Sequence, residues 1–141
     1  MAGNVFLDTN VLIYSIGEND PRSEIAEALL MAGGVISVQV LNEFVATARR
    51  KLGMSWDEVV QALGAIRTLL PTPSAIAPET HNRALKIGQK YNFSIYDALI
   101  VASALDADCK TLYTEDLQDG QVIDGRLTVR NPFKARSPSI R

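Results

Sequence analysis

The apolar positions of this chain come in blocks of two sizes, strand-length and helix-length, separated by polar punctuation. Val5-Phe6-Leu7 is short, apolar and β-prone and ends at Asp8-Thr9-Asn10, which predicts a buried central strand. Val11 to Ile16 is long enough for one or two helical turns. Asp20-Pro21 reads as an N-cap followed by a first-turn proline. The helix it opens, through Ala32, places Ile25, Ala28, Leu29 and Ala32 on one face and stops at Gly33-Gly34. Val35 to Val38 predicts a second strand. Gln39 to Leu52 predicts a helix with Val40, Phe44, Thr47 and Ala48 at helical spacing and Gly53 as terminator. Ser55 with Glu58 three residues on is a capping box, and its helix runs through Leu63 and Ile66 to Leu70. Ser74 to Ala77 is a candidate strand shortened by Pro73 and Pro78. Glu79 to Lys90 is helical with Ala84, Leu85, Ile87 and Gly88 together. Ile95 to Ala107 is apolar on most faces and therefore buried. Lys110 to Tyr113 and Leu127 to Val129 are the closing strands.

Strands alternating with helices predict an α/β sandwich around a mostly parallel sheet. The 141 residues are the size of one domain, and 47% apolar content is ample for one core. One domain over 1–133 is expected, followed by a flexible tail, 134–141, at the end of a polar run that begins at Asn131. No apolar run approaches the ~20 residues that span a bilayer, and the first ten residues lack the charged segment of a secretion signal. A cytoplasmic protein without a membrane partner is the expectation. Cys109 is the only cysteine and His81 the only histidine, which excludes a disulfide framework and a cysteine- or imidazole-rich zinc site. Cys109 reads as a core filler and His81 as a surface helix residue. A net charge of −2 means that any patch for nucleic acid is local rather than global.

The chemistry lies where strands end. In open α/β sheets, ligands bind outside the carboxyl ends of the strands. Asp8 follows the first strand and Asp116 the Lys110–Tyr113 strand. Glu43 stands in the first turns of the helix after the second strand, and Asp97 opens the apolar Ile95–Ala107 helix. Each has an ordinary reading: Asp8 and Asp116 as turn acids, Glu43 on a solvated face, Asp97 as a helix-start acid favoured by the dipole. Jointly they predict something else. Four converging carboxylates repel one another unless a cation joins them, and hard divalent ions prefer carboxylate oxygens and water. Such an ion, or a pair of them, promotes attack of water on a phosphodiester. Arg49, Arg50 and Lys51, two turns beyond Glu43, are candidates for contacts to the phosphates of such a substrate or a plain dipole-favoured helix end. Trp56 and Met54 are expected to pack in the core or a dimer, with base stacking by Trp56 the alternative.

These residues resemble a known family. Phe6-Leu7-Asp8-Thr9-Asn10-Val11-Leu12 is similar to the opening motif of PIN-domain nucleases. Val38-Gln39-Val40-Leu41-Asn42-Glu43-Phe44 resembles their second motif, Tyr96-Asp97-Ala98-Leu99-Ile100-Val101-Ala102 their third, and Leu112-Tyr113-Thr114-Glu115-Asp116-Leu117 their fourth. Val129-Arg130-Asn131-Pro132-Phe133 is similar to the final strand and its exit. The short architecture is most similar to VapC-type toxins of bacterial toxin–antitoxin pairs. The resemblance implies a three-layer α/β/α PIN-like sandwich and cleavage of RNA (tRNA, rRNA or mRNA) with one or two Mg²⁺ or Mn²⁺ ions. It also implies a VapB-type antitoxin and a homodimer. Asp8 and Asp97 would be direct metal ligands, with Glu43 and Asp116 completing the site directly or through water. Thr9, Asn10 and Thr114 would hold the carboxylates in place. Glu115 and Asp119 compete with Asp116 for the fourth position. A PIN nuclease that matures RNA and a non-catalytic binding module on the same fold are the alternatives. A receiver-type signalling domain is disfavoured, because only Asp8 ends the first strand.

Overall fold

A computed structural model describes residues 4–134. The chain forms β1 (Val5–Leu7), α1 (Thr9–Ser15), α2 (Pro21–Ala32), α3 (Val38–Arg50), α4 (Trp56–Leu69), α5 (Pro78–Tyr91), α6 (Ile95–Asp106), β2 (Thr111–Tyr113), β3 (Val122–Ile123) and β4 (Leu127–Arg130). The sheet order is β1-β2-β4-β3. β1 pairs parallel with β2, β2 parallel with β4, and β3 antiparallel with β4. This is the expected α/β architecture with a mostly parallel sheet. Register decides which side chains share the sheet edge: Leu7 stands opposite Tyr113, and Tyr113 opposite Arg130. Asp8 and Thr114 therefore leave the sheet side by side. Strand residues Phe6, Leu7, Leu112, Leu127 and Val129 meet helix residues Val11, Leu12, Val40, Phe44, Ile100 and Val101 in one buried core.

Local signals explain most boundaries. The Asp20 carboxylate accepts from the Arg22 amide ahead of Pro21 at the first helical position. Ser55 and Glu58 close a reciprocal capping box at the start of α4. Gly33 stops α2 at φ 88°, a conformation that side chains with a Cβ rarely adopt. At Gly34 a Cβ would stand 3.2 Å from the Val5 carbonyl, so glycine lets the chain run directly against β1.

Several expectations are corrected. The strand expected over Val35–Val38 is reduced to single bridges, Val35 with Phe6 and Ser37 with Ser74, both parallel. Ser37 already caps α3, which starts at Val38, so only three residues remain for sheet pairing. The Ser74–Ala77 strand shrinks to the same Ser74 bridge, because α5 begins at Pro78. β3 was not expected. Its signal is the Asp124-Gly125 turn to β4, with both residues at positive φ, a hairpin signature. The buried face of α2 is Ser23, Ala26 and Leu30, whereas Ile25 is 40% exposed. Apolar residues lie all round that helix, so its sequence does not define one stripe; packing against α1 and α4 selects the face. On α5, Ala84 and Ile87 are buried but Leu85 is exposed. Trp56 is 61% exposed, with the Arg49 guanidinium over its ring, and belongs to no core; Met54 does pack against the core. Cys109 is buried and His81 exposed. The expected flexible tail lies outside the described residues from 135 on. Residues 131–133 are tied down, the Asn131 amide donating to Asp119 and Phe133 packing edge-on against Tyr14.

Candidate acidic active site

The site is built where β1 and β2 end. Asp8 is both the last step off β1 and the N-cap of α1, its Oδ1 accepting from the Thr9 amide at 2.6 Å. It is 4% exposed. Because register places Thr114 beside it, the Thr114 hydroxyl donates to Asp8 Oδ2 at 2.8 Å. That hydroxyl also accepts from Asn10 Nδ2 at 3.2 Å and from the Asp116 amide at 3.0 Å. A hydroxyl has one donor and two acceptor sites, and all three are used. Asn10 Nδ2 donates further to Asp116 Oδ2 at 3.2 Å. Thr114 and Asn10 thus bind Asp8 and Asp116 into one hydrogen-bonded unit across 106 residues of sequence.

Glu43 reaches the same edge from the second turn of α3. Val40, Phe44 and Ala48 anchor that helix in the core. Gln39, one turn earlier, donates to Glu43 Oε2 at 3.0 Å, and the Thr9 hydroxyl to Oε1 at 3.4 Å. Asp97 stands in the first turn of α6, its amide capped by Ser94 Oγ, on a helix whose remaining length is almost wholly buried. The four acids act on one another. Burial pushes the Asp8 carboxyl up to about 7 against the hydrogen bonds from Thr114 and Thr9, and the charges of Asp116 and Glu43 add to it. Burial raises Glu43 as well, with the charges of Asp97 and Asp116 helping and the Gln39 and Thr9 hydrogen bonds opposing. Asp97 is raised by burial and then by Asp116. None of the four is ion-paired with a lysine or arginine among the described residues.

The three acids competing for the fourth position separate cleanly. Asp116 joins the cluster. Glu115 accepts from the Tyr14 hydroxyl at 2.6 Å, and that same hydroxyl accepts from Arg22. Asp119 accepts from the Asn131 amide and lies 3.8 Å from Lys134. The basic trio also divides. Arg49 donates to the Met54 carbonyl and covers Trp56. Arg50 and Lys51 line two different grooves. One, of about 510 Å³, is bounded by Gln39, Asn42, Arg50 and Tyr96; the other, of about 300 Å³, by Asn10, Tyr14, Lys51 and Asp116. Glu43 and Thr47 line both, so the grooves meet on the acid cluster. Sequence reasoning did not single out Gln39, Tyr14 or Tyr96. For Gln39 the signal was available: it stands four residues before Glu43 on one helix face. Tyr14 carried no comparable signal, because its partners come from α2 and the loop after β2.

The donor set is chemically suited to a hard cation: among the described residues the carboxylate oxygens have no counter-charge, and Asn10 Oδ1 is buried beside them with no hydrogen-bond partner. Among the described residues no three acids are already gathered closely enough to clasp an ion. Mg²⁺ does not require a cage. It retains several waters and commonly takes one or two carboxylates directly. An open cluster with one buried acid, Asp8, and three flanking it fits that habit.

Solved structures share this arrangement of elements. The sarcin–ricin-loop-cleaving toxin VapC20 of Mycobacterium tuberculosis superposes with a TM-score of 0.66 at 22% identity, covering 79% of this chain and 89% of that one. A toxin–antitoxin complex from Klebsiella pneumoniae gives 0.70 at 22%, covering 93% and 99%. VapBC2 of Rickettsia felis, bound to a promoter DNA fragment, gives 0.65 at 18%, covering 90% and 97%. At these identities the likeness is one of fold. No curated protein sequence matches the chain. The family model of the PIN domain matches residues 5–118, a span that holds all four acids of the cluster, and the chain belongs to that family.

Proposed function

We propose that this protein is a Mg²⁺- or Mn²⁺-dependent endoribonuclease that acts as the toxin of a toxin–antitoxin pair. The observation that carries the reading is the convergence of Asp8, Glu43, Asp97 and Asp116 from four distant segments onto one sheet edge without a counter-cation among the described residues. Asp8 and Asp97 would hold the ion directly; Glu43 and Asp116 would complete the site directly or through water. When bound, the ion supplies charge neutralisation at the phosphate and acidifies water for in-line attack. The chain's own residues do the rest. Thr114 and Asn10 fix the orientation of Asp8 and Asp116, and Gln39 and Thr9 that of Glu43. Hydrolysis forms one P–O bond to water and breaks one ester P–O bond.

The toxin role and an antitoxin of the VapB type are supported by the fold shared with VapC and VapBC structures; a homodimer is part of the same proposal. The test is purified protein on total RNA with Mg²⁺, Mn²⁺ or EDTA, followed by mapping of the new 5′ ends. Discrete ends that appear only with metal and vanish in Asp97→Asn are expected. Cleavage retained by a pure Asp97→Asn protein overturns the assignment. Expression should arrest growth, and a small protein encoded beside this one should relieve it.

A further inference from the structure

Resting on the ribonuclease reading, we propose that the groove between Tyr96 and Arg50 seats a nucleotide of single-stranded RNA next to the one being cut, its base on the Tyr96 ring and its phosphate on Arg50. Tyr96 is 61% exposed although it opens a helix that is otherwise the most buried in the molecule. It lines the same groove as Glu43, so its ring stands at the edge of the acid cluster. An exposed aromatic face beside a phosphodiester site is a stacking platform, because every base offers a π-face.

The rest of the groove has the matching chemistry. Arg50 has no acidic partner among the described residues, unlike Arg22, Arg83 and Arg126. Asn42, at the groove wall, can donate and accept toward a base edge. The groove sets in its walls one aromatic face, Tyr96, beside the hydrogen-bonding groups of Gln39, Asn42 and Thr47 and the Arg50 guanidinium, a combination that matches a base with its phosphate. It also runs on through Glu43 and Thr47 into the second groove, where Lys51 stands beyond the acids. A strand lying along this track meets one cation on each side of the cluster. The protein is acidic overall, so these two are the local basic contacts that such a substrate requires. Tyr96 does not touch the reacting atoms in this arrangement; it binds and sets register.

The experiment is anisotropy of a fluorescein-labelled RNA hexamer with Mg²⁺ on the full chain in an Asp8→Asn background, which stops cleavage. Tyr96→Ala should weaken binding about 5- to 100-fold, the range that removal of one stacking partner produces. Tyr96→Phe should stay within about twofold of the parent, because the ring and not the hydroxyl makes the contact. The Tyr96→Ala effect should disappear with a hexamer carrying an abasic residue at the stacked position. Arg50→Ala should lower the slope of log affinity against log salt by about 0.7, the contribution of one phosphate contact on a single strand. Unchanged thermal midpoints will show that these exposed substitutions leave the fold intact. Parent binding that survives Tyr96→Ala overturns the groove assignment and leaves the ribonuclease reading standing. A parent that binds no RNA overturns both. Loss of association with the neighbouring small protein, at unaltered RNA affinity, assigns the groove to a protein partner and also overturns the proposal.

Discussion

Two groups of acids in this molecule form contrasting populations. Asp20, Asp106, Asp108, Asp119 and Asp124 each stand within 4 Å of an arginine or lysine. Asp8, Glu43, Asp97 and Asp116 lie together and none has such a partner among the described residues. The difference shows in their protonation. Hydrogen bonds from Arg22 hold Asp20 below its ordinary value, and those from Lys90 and Tyr91 do the same for Asp124. Burial and mutual repulsion hold Asp8, Glu43 and Asp97 above theirs. The first population is ordinary surface chemistry. The second costs stability in the absence of a cation, and that cost supports the proposed metal-dependent reaction. Glu115 marks the border: one residue from Asp116, it is withdrawn from the cluster by Tyr14, whose hydroxyl Arg22 also engages.

The largest effect should separate the two populations directly. Asp8→Asn or Asp97→Asn should lower metal-dependent cleavage about a thousandfold or more, with far-ultraviolet circular dichroism unchanged. Next comes the pH dependence of metal-free stability. Asp8 binds its proton more tightly in the folded state than in the unfolded chain, where its ordinary value is 3.8. Stability from this group is therefore greatest at low pH and falls as pH rises from about 4 to about 7, by on the order of 4 kcal/mol. Asp20 and Asp124, held below their ordinary values by their hydrogen bonds, act in the opposite sense. The difference between wild type and Asp8→Asn in urea titrations across that window isolates the term, and parallel curves would refute it. Mg²⁺ should restore the lost stability at pH 7.

Smaller effects sharpen the border. Thr114→Val should cost about 10- to 100-fold in cleavage, the usual penalty for removing the partner of a metal-holding carboxylate. Asp116→Asn should cost at least as much, whereas Glu115→Gln should stay within about threefold; the reverse order would make Glu115 the fourth acid. The smallest effect belongs to the surface. Arg83→Ala breaks the 2.7 Å pair with Asp106 and should lower stability by less than about 1 kcal/mol, without effect on cleavage.

Much of the architecture was legible before any fold was known. Asp20 with Pro21, Ser55 with Glu58 and the Gly33-Gly34 stop act over three or four residues, so their partners are visible in sequence. The placement of Asp8, Glu43, Asp97 and Asp116 near one another was legible too, because Asp8 and Asp116 follow strands while Glu43 and Asp97 stand in the early turns of helices. The buried face of α2 was not, since apolar residues surround that helix. Nor was the two-residue β3, which is too short to carry a period and is held by its turn to β4.

By itself, then, the chain determines the order of strands and helices, where most of them are capped, and which acids are available at the sheet edge. Only the tertiary structure decides among near neighbours. It sends Asp116 into the cluster, Glu115 to Tyr14 and Asp119 to Asn131. It folds Arg49 over Trp56 and leaves Arg50 to the groove. The physical reason is clearest at Asp116 and Glu115. Backbone caps and turns are settled by contacts a few residues apart, whereas these two carboxylates turn toward Asn10 and Tyr14, which the register of β1 against β2 brings from a hundred residues away.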